Sequence, residues 1–205
     1  MVPDYWQQAG TALAQNDAVM AAIIAACGDE TLVSRGDPFG TLLRSIVGQQ
    51  ISVRAADSIW VRFVAALPAL TPEAVRAASA ETLRACGLSA RKVEYIADLA
   101  RHFVDGKIQP ARWAAMGDAE IIAELTVVRG IGVWTAEMLL IFNQLRPDVW
   151  PLDDIGLQKA VAQHYFSGER PTRRQLVAHG EHWRPWRSVA TWYLWRSLDP
   201  LPVEY

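Results

Sequence analysis

The stretch that decides the fold is Leu125-Thr126-Val127-Val128-Arg129-Gly130-Ile131-Gly132-Val133-Trp134-Thr135-Ala136. Helical periodicity enters it from Asp118 and leaves it toward Phe142, so two helices are joined through Arg129-Gly130-Ile131-Gly132 alone. Glycines on either side of one apolar residue let the backbone turn tightly with positive φ while Ile131 plugs the core. The turn opens straight into a helix, whose first N–H groups have no intrahelical partner. Such a terminus suits an anion such as a phosphate, with no basic side chain required. As an isolated feature, Gly-Ile-Gly between helices is just as well an ordinary αα-turn; its weight comes from what surrounds it.

Outward from the hairpin, the chain reads as short helices separated by Gly, Pro and Asp, with little period-two alternation to support strands. Asp17 caps a helix running to Cys27, and Asp37-Pro38 opens another that carries Phe39, Leu42, Leu43, Ile46 and Val47 on its apolar face. Ser52, Thr71 and Ser89 mark further starts, and Gly87 a stop. After Pro151, helices are expected near 155–166, 172–181 and 185–197. The expectation is an all-α fold of about ten helices, treated as a single unit over 1–205 or as two intimately packed lobes.

Composition narrows the class. The 205 residues are 51% hydrophobic, enough for a sizeable core. The most apolar run, Ala18 to Cys27, suits a buried helix and is too short to span a membrane. No basic-then-apolar leader opens the chain, so a cytoplasmic location, nucleoid-associated in a bacterium, is expected. Two cysteines, Cys27 and Cys86, cannot build a disulfide framework or a four-cysteine cluster, and both read as buried thiols. A net charge of −2 argues against a broad basic surface for nucleic acid, and residues 1–34 carry no Lys or Arg at all. Any nucleic acid must therefore bind a local face.

Beyond the hairpin lies Trp150-Pro151-Leu152-Asp153-Asp154-Ile155-Gly156-Leu157. One Asp ahead of a helix is usually a cap. Two exceed what capping needs, and the second sits where the helix dipole favours negative charge. Together with Ile46-Val47-Gly48-Gln49-Gln50-Ile51-Ser52, and with Arg184-Pro185-Trp186-Arg187-Ser188 leading to Trp195, these motifs span about 37–198. In their order and content they resemble the helix-hairpin-helix (HhH-GPD) DNA glycosylase superfamily, and within it the DNA-3-methyladenine glycosylase II, AlkA-type enzymes, in a short form without an N-terminal β domain.

The resemblance implies a helix-hairpin-helix over about 118–142 and an active-site cleft between two helical lobes. It implies Asp154 as the catalytic carboxylate, with Asp153 left to capping or support. Trp134 and Trp195 match aromatic positions of the base pocket; most of the nine tryptophans read as packing. The amides near Gly130, Gly132 and Thr135 match phosphate contacts. Gln50 stands where the family pushes a side chain into the duplex. Many relatives have Pro where this chain has Arg129, which is able to add a phosphate contact, and Gln50 is more polar than the apolar wedge of some relatives. No cofactor is implied, apart from a monovalent cation that carbonyls of Thr126, Val128 and Ile131 are placed to share with a DNA phosphate. The implied partner is double-stranded DNA with alkylated bases, bound by a monomer.

The chemistry fits those residues. A base must be flipped from the duplex before its glycosidic bond is reached, and flipping is cheapest for damaged bases. Cationic 3-methyladenine and 7-methylguanine favour electron-rich rings and leave as neutral bases, so no strong general acid is needed. A buried carboxylate stabilises the sugar cation and orients water. Bifunctional members carry a Lys just after the hairpin; here that position is Trp134, which points to an abasic product with no strand cleavage. Arg44, Arg54, Arg91, Lys92 and Arg187 are candidate phosphate contacts or simply solvated. Two other readings are a same-fold glycosylase for oxidised bases or uracil, and a non-catalytic DNA-binding module that uses the hairpin alone.

Overall fold

The computed structural model describes residues 2–34 and 36–198. In chain order the helices are α1 (Trp6–Asn16), α2 (Ala18–Cys27), α3 (Pro38–Gly48), α4 (Val53–Ala65), α5 (Pro72–Ala77), α6 (Ala80–Ala85), α7 (Ala90–Val104), α8 (Asp118–Thr126), α9 (Val133–Phe142), α10 (Ile155–Tyr165), α11 (Arg173–Gly180) and α12 (Arg187–Leu198). Two 3-10 turns, Pro110–Ala115 and Glu181–Trp183, complete the described structure, which contains no strand. The all-α expectation holds. Among the described residues the α-helices number twelve rather than about ten; α5 and α6, each six residues long, start from separate caps at Thr71 and Ser79. Asp17, Asp37, Ser52 and Ser89 cap as their sequence contexts predict.

The described residues divide into two compact units, one formed by 2–34 with 140–198 and the other by 36–139. In the first, α12 packs against α1, α2 and α10. Every residue from Ser188 to Leu194 is buried, which explains why this helix has no polar side. Trp6 meets the Trp192 ring edge-on at 5.1 Å and lies 5.5 Å from Tyr193. In the second unit, α7 packs against α3, α5 and α6 and turns Val93, Ile96, Leu99 and Ala100 inward. Phe39 of α3 meets Phe103 of α7 edge-on at 4.9 Å.

Cys86 is buried as expected, its thiol 3.3 Å from the Thr82 carbonyl oxygen. Cys27 is only half-buried, because it closes α2 on the side lined by His164 and Arg196. Five of the tryptophans (Trp6, Trp113, Trp150, Trp183 and Trp192) are core residues; Trp134 and Trp195 are half-buried. Among the described residues no helix is long and apolar enough to cross a membrane.

Asp17 is the main polar joint of the first unit. Its Oδ1 accepts the amides of Val19 and Met20, both at 2.9 Å. Its Oδ2 accepts the Tyr165 hydroxyl at 2.9 Å and the Trp183 indole N–H at 3.1 Å. Burial opposes the charge, but these four donors outweigh it and hold the carboxyl below its usual value. With the folded pKa below the unfolded one, near ~3.9, the stabilisation is full above that value and is lost as pH falls through the folded pKa. We predict that Asp17→Ala lowers stability at pH 7 by roughly 2–3 kcal/mol, from a lost cap and two orphaned donors. The gap to wild type should narrow below about pH 4. Urea unfolding at pH 7 and pH 3 checks both, and a gap that does not change with pH contradicts the assignment.

Candidate active site

Asp154 is the residue directly before α10, with extended backbone (φ −73°, ψ 120°). Its Oδ1 accepts the Leu157 amide at 2.6 Å and the Trp195 indole N–H at 2.8 Å. The residue is only 5% exposed. Two donors and the helix terminus thus converge on a buried carboxyl oxygen. Capping was the expected share of Asp153; the structure gives it to Asp154. Only the residue next to the first helical position reaches the amide three residues on. Asp153 instead faces outward and pairs with Arg173 at 2.6 Å, with both side chains about two-thirds exposed.

Trp195 is tied directly to Asp154. Its indole N–H holds Asp154, and its ring stacks on Phe142 at 5.6 Å and 11°. Gly156 makes room for this arrangement. A Cβ there would lie 3.2 Å from both Asp154 Oδ1 and Trp195 Cδ1. Neither Gly156 nor Phe142 stands out in the sequence, although a glycine inside a helix costs about 1 kcal/mol relative to Ala and so asks for a reason.

The segment leading to Asp154 is strapped down from several sides. Arg187 donates to both carboxylate oxygens of Asp148 (2.6 and 3.0 Å) and to the Asp148 carbonyl (3.0 Å). Arg184 reaches the same carboxylate at 2.8 Å. Ser188 Oγ accepts the Val149 amide at 2.9 Å, and the Trp150 indole donates to the Leu176 carbonyl at 3.1 Å. A Cβ at Gly180 would lie 2.5 Å from Trp150, so only glycine fits against that ring. The Arg184-Pro185-Trp186-Arg187-Ser188 motif therefore fixes the approach to Asp154. Arg187, a candidate phosphate contact in the sequence, is largely buried and committed to Asp148.

The hairpin lies in the other unit. Gly130 adopts φ +86°, and a Cβ on it would fall 2.2 Å from Cδ2 of Tyr95. The ring of α7 thus closes over the turn. Ile131 is buried, and its amide donates to the Val128 carbonyl at 3.1 Å. Gly132 differs from expectation: its φ is ordinary and a Cβ would meet open space. One left-handed residue suffices to reverse the chain. The Arg129 amide donates to Asp98 Oδ2 at 2.9 Å, and its guanidinium lies 3.2 Å from Glu94 with both side chains more than half exposed. Such an exposed pair is weak.

Asp98 was missed in the sequence. It falls one turn beyond Tyr95 on α7 and so faces the same hairpin. Burial opposes its charge, but Arg101, the Arg129 amide and His102 outweigh that and hold its carboxyl below the usual value. Thr135 is buried in the first turn of α9, beside half-buried Trp134. The carbonyls of Thr126, Val128 and Ile131 are neutral oxygens of the kind an alkali cation takes. Val128 keeps a second lone pair beyond the one used by Ile131.

Gln50 is exposed, at φ +58°. It occupies the third position of a tight turn in which the Ile51 amide faces the Gly48 carbonyl at 3.5 Å. Two other candidate phosphate contacts are already engaged. Lys92 Nζ donates to the Val47 carbonyl at 2.7 Å, and Arg44 pairs with Asp57 at 2.8 Å.

A glycine hairpin between helices, followed by a buried aspartate capping the next helix, defines a class. Residues 43–185 match the HhH-GPD superfamily base excision DNA repair proteins, and the chain belongs to that superfamily. Among its relatives is DNA-3-methyladenine glycosylase 1 of Schizosaccharomyces pombe, 35% identical over 171 residues, covering 80% of this chain and 74% of that protein. The 3-methyladenine DNA glycosylase of the same yeast, solved in complex with abasic DNA, superposes with a TM-score of 0.83 at 31% identity, over 96% of this chain and all of that one. A DNA-3-methyladenine glycosidase from Bacillus halodurans gives a TM-score of 0.84 at 35% identity, covering 92% of this chain and 88% of that one.

The two glycines should respond differently to substitution. Gly130→Ala is expected to cost at least about 2–3 kcal/mol, from the clash with Tyr95 and the left-handed backbone. Gly132→Ala should change stability by less than about 0.5 kcal/mol. Equal denaturation midpoints for the two variants would contradict this geometry.

Proposed function

We propose that this protein is a monofunctional DNA glycosylase of base excision repair, which hydrolyses the N-glycosidic bond of alkylated bases of the 3-methyladenine and 7-methylguanine type. The observation that carries the reading is Asp154, a buried carboxylate held by an amide and an indole N–H in a chain of this superfamily. Kinship with proteins named as 3-methyladenine glycosylases supports the substrate class.

In this reading the hairpin amides around Gly130, Gly132 and Thr135 hold a backbone phosphate, as helix N-termini do. Arg129 adds a cation once it leaves Glu94. The carbonyls of Thr126, Val128 and Ile131 would hold a monovalent cation when DNA is bound, adding positive charge beside that phosphate. Gln50 fills the space left by the flipped base, offsetting part of the unstacking cost of a few kcal/mol. Trp134 and Trp195 each offer an aromatic face, for which a cationic base gains roughly 0.5–2 kcal/mol over a neutral one. The partner is double-stranded DNA, engaged by a monomer.

The bond that breaks joins C1′ of the sugar to the base nitrogen. Its electron pair goes to the cationic base, which leaves neutral, while positive charge grows on the sugar. Asp154 stabilises that charge electrostatically. The oxygen of a water then bonds to C1′, and its proton passes to Asp154 or to solvent. No amine is positioned by the hairpin to attack C1′, since Trp134 occupies that place. Lys92 is bonded to Val47, and Lys107 and Lys159 are exposed on other elements. The strand therefore stays intact.

Chromatography of bases freed from methylated duplex DNA tests the proposal. Wild type should release 3-methyladenine and 7-methylguanine and leave abasic, unbroken strands. Asp154→Asn should lose on the order of 10²–10⁴ in rate while binding DNA within a few-fold of wild type. A wild type that binds duplex but frees no base, or a mutant as fast as wild type, overturns it.

A further inference from the structure

The two adjacent glutamines after α3 point to different tasks. Gln49 and Gln50 are the central residues of the turn that links α3 to α4, with φ −54° and ψ 128° at Gln49 and φ +58° at Gln50. The third position of such a turn favours glycine, because a side chain there strains the left-handed backbone. A glutamine held there is presented at the tip, exposed to solvent. Gln49 turns the other way: half-buried, its Nε2–H donates to the Gly130 carbonyl at 2.9 Å. That carbonyl belongs to the one left-handed glycine of the hairpin.

The same two elements are bracketed from α7. Lys92 donates to the Val47 carbonyl near the end of α3, Tyr95 covers Gly130, and Asp98 accepts the Arg129 amide. Burial lowers the pKa of Lys92, consistent with an ammonium partly withdrawn from water onto a helix-end carbonyl. The wedge turn and the hairpin are therefore held to a common support, and Gln49 is the side chain that bridges them directly.

We propose that Gln49 is a positioning residue that locks the Gln50 turn to the phosphate-gripping hairpin, so that phosphate binding and insertion of Gln50 into the duplex act as one rigid element. This rests on the glycosylase reading above and deepens it. The amide is specific to the task. It must donate to a carbonyl, which alanine and glutamate cannot do, and it must reach across the turn, which the shorter asparagine cannot. Because Gln49 acts only through Gln50, its removal should impair insertion and not the hairpin's grip on the backbone.

The test is a double-mutant cycle on Gln49→Ala and Gln50→Ala, read by the fluorescence of 2-aminopurine placed opposite an abasic-site analogue in duplex DNA. Binding by anisotropy and far-UV circular dichroism are measured alongside. The fluorescence reports insertion and not bond cleavage, so it stands or falls separately from the base-release assay. Each single variant should lose about tenfold in the insertion step. Duplex affinity should change by less than about threefold and the helical spectrum should stay unchanged. The double variant should be no worse than Gln50→Ala alone, the signature of coupled residues. Gln49→Glu should match or exceed the loss of Gln49→Ala. Losses that multiply in the double variant, or a Gln49→Ala variant that inserts normally, overturn the proposal. So does a fall in affinity that matches the fall in insertion, since Gln49 would then serve the grip itself.

Discussion

A carboxylate taken out of water must find donors, and the candidate site supplies two of them to Oδ1 of Asp154. The Leu157 amide comes from the first turn of α10 and the indole N–H from α12, so the bond exists only when both helices are in place. Phe142 backs the indole, Gly156 leaves space for it, and the segment before Asp154 is held by Arg187, Ser188 and the Leu176 carbonyl. Burying a charge without such partners costs several kcal/mol. The burial of α12 from Ser188 to Leu194 fits the same demand, since the helix carries Ser188 in its first turn and Trp195 in its last.

The second unit meets a different constraint. Reversing the chain between α8 and α9 in a few residues requires left-handed backbone at Gly130, and Tyr95 packs against the space where a side chain would be. Asp98 takes the Arg129 amide that the reversal leaves unpaired by any helix. In the proposed reading the hairpin's phosphate donors are mainly amides, which is compatible with a net charge of −2.

Much of this was legible in the sequence, and what was not has a physical cause. Caps at Asp17, Asp37, Ser52 and Ser89 could be read because they rest on local spacing, which a linear string preserves. The hairpin and the Asp pair were legible for the same reason. The sharing of capping between Asp153 and Asp154 was not: the helix start at Ile155 was expected, but which of two adjacent carboxylates turns back to the Leu157 amide is a matter of side-chain direction that a linear string does not carry. Arg187 read as a surface cation because nothing in its neighbourhood announces Asp148, far away in the chain. Gly156, Phe142, Asp98 and Gln49 act through partners up to 81 positions distant in sequence, each with a partner on another element. A glycine inside a helix and an acid on the hairpin-facing side of α7 were the available hints.

The most direct test of the central claim, that an aligned Asp154 drives the chemistry, is the single-turnover rate of 7-methylguanine release by Trp195→Phe. Phenylalanine keeps a ring against Phe142 but removes the N–H that holds Oδ1. The account predicts a loss of about 10–100-fold in rate, the scale on which a displaced catalytic group is felt, with DNA affinity and thermal stability near those of wild type. An unchanged rate would mean that the indole donor does not set the position of Asp154, and the account would be wrong at its centre.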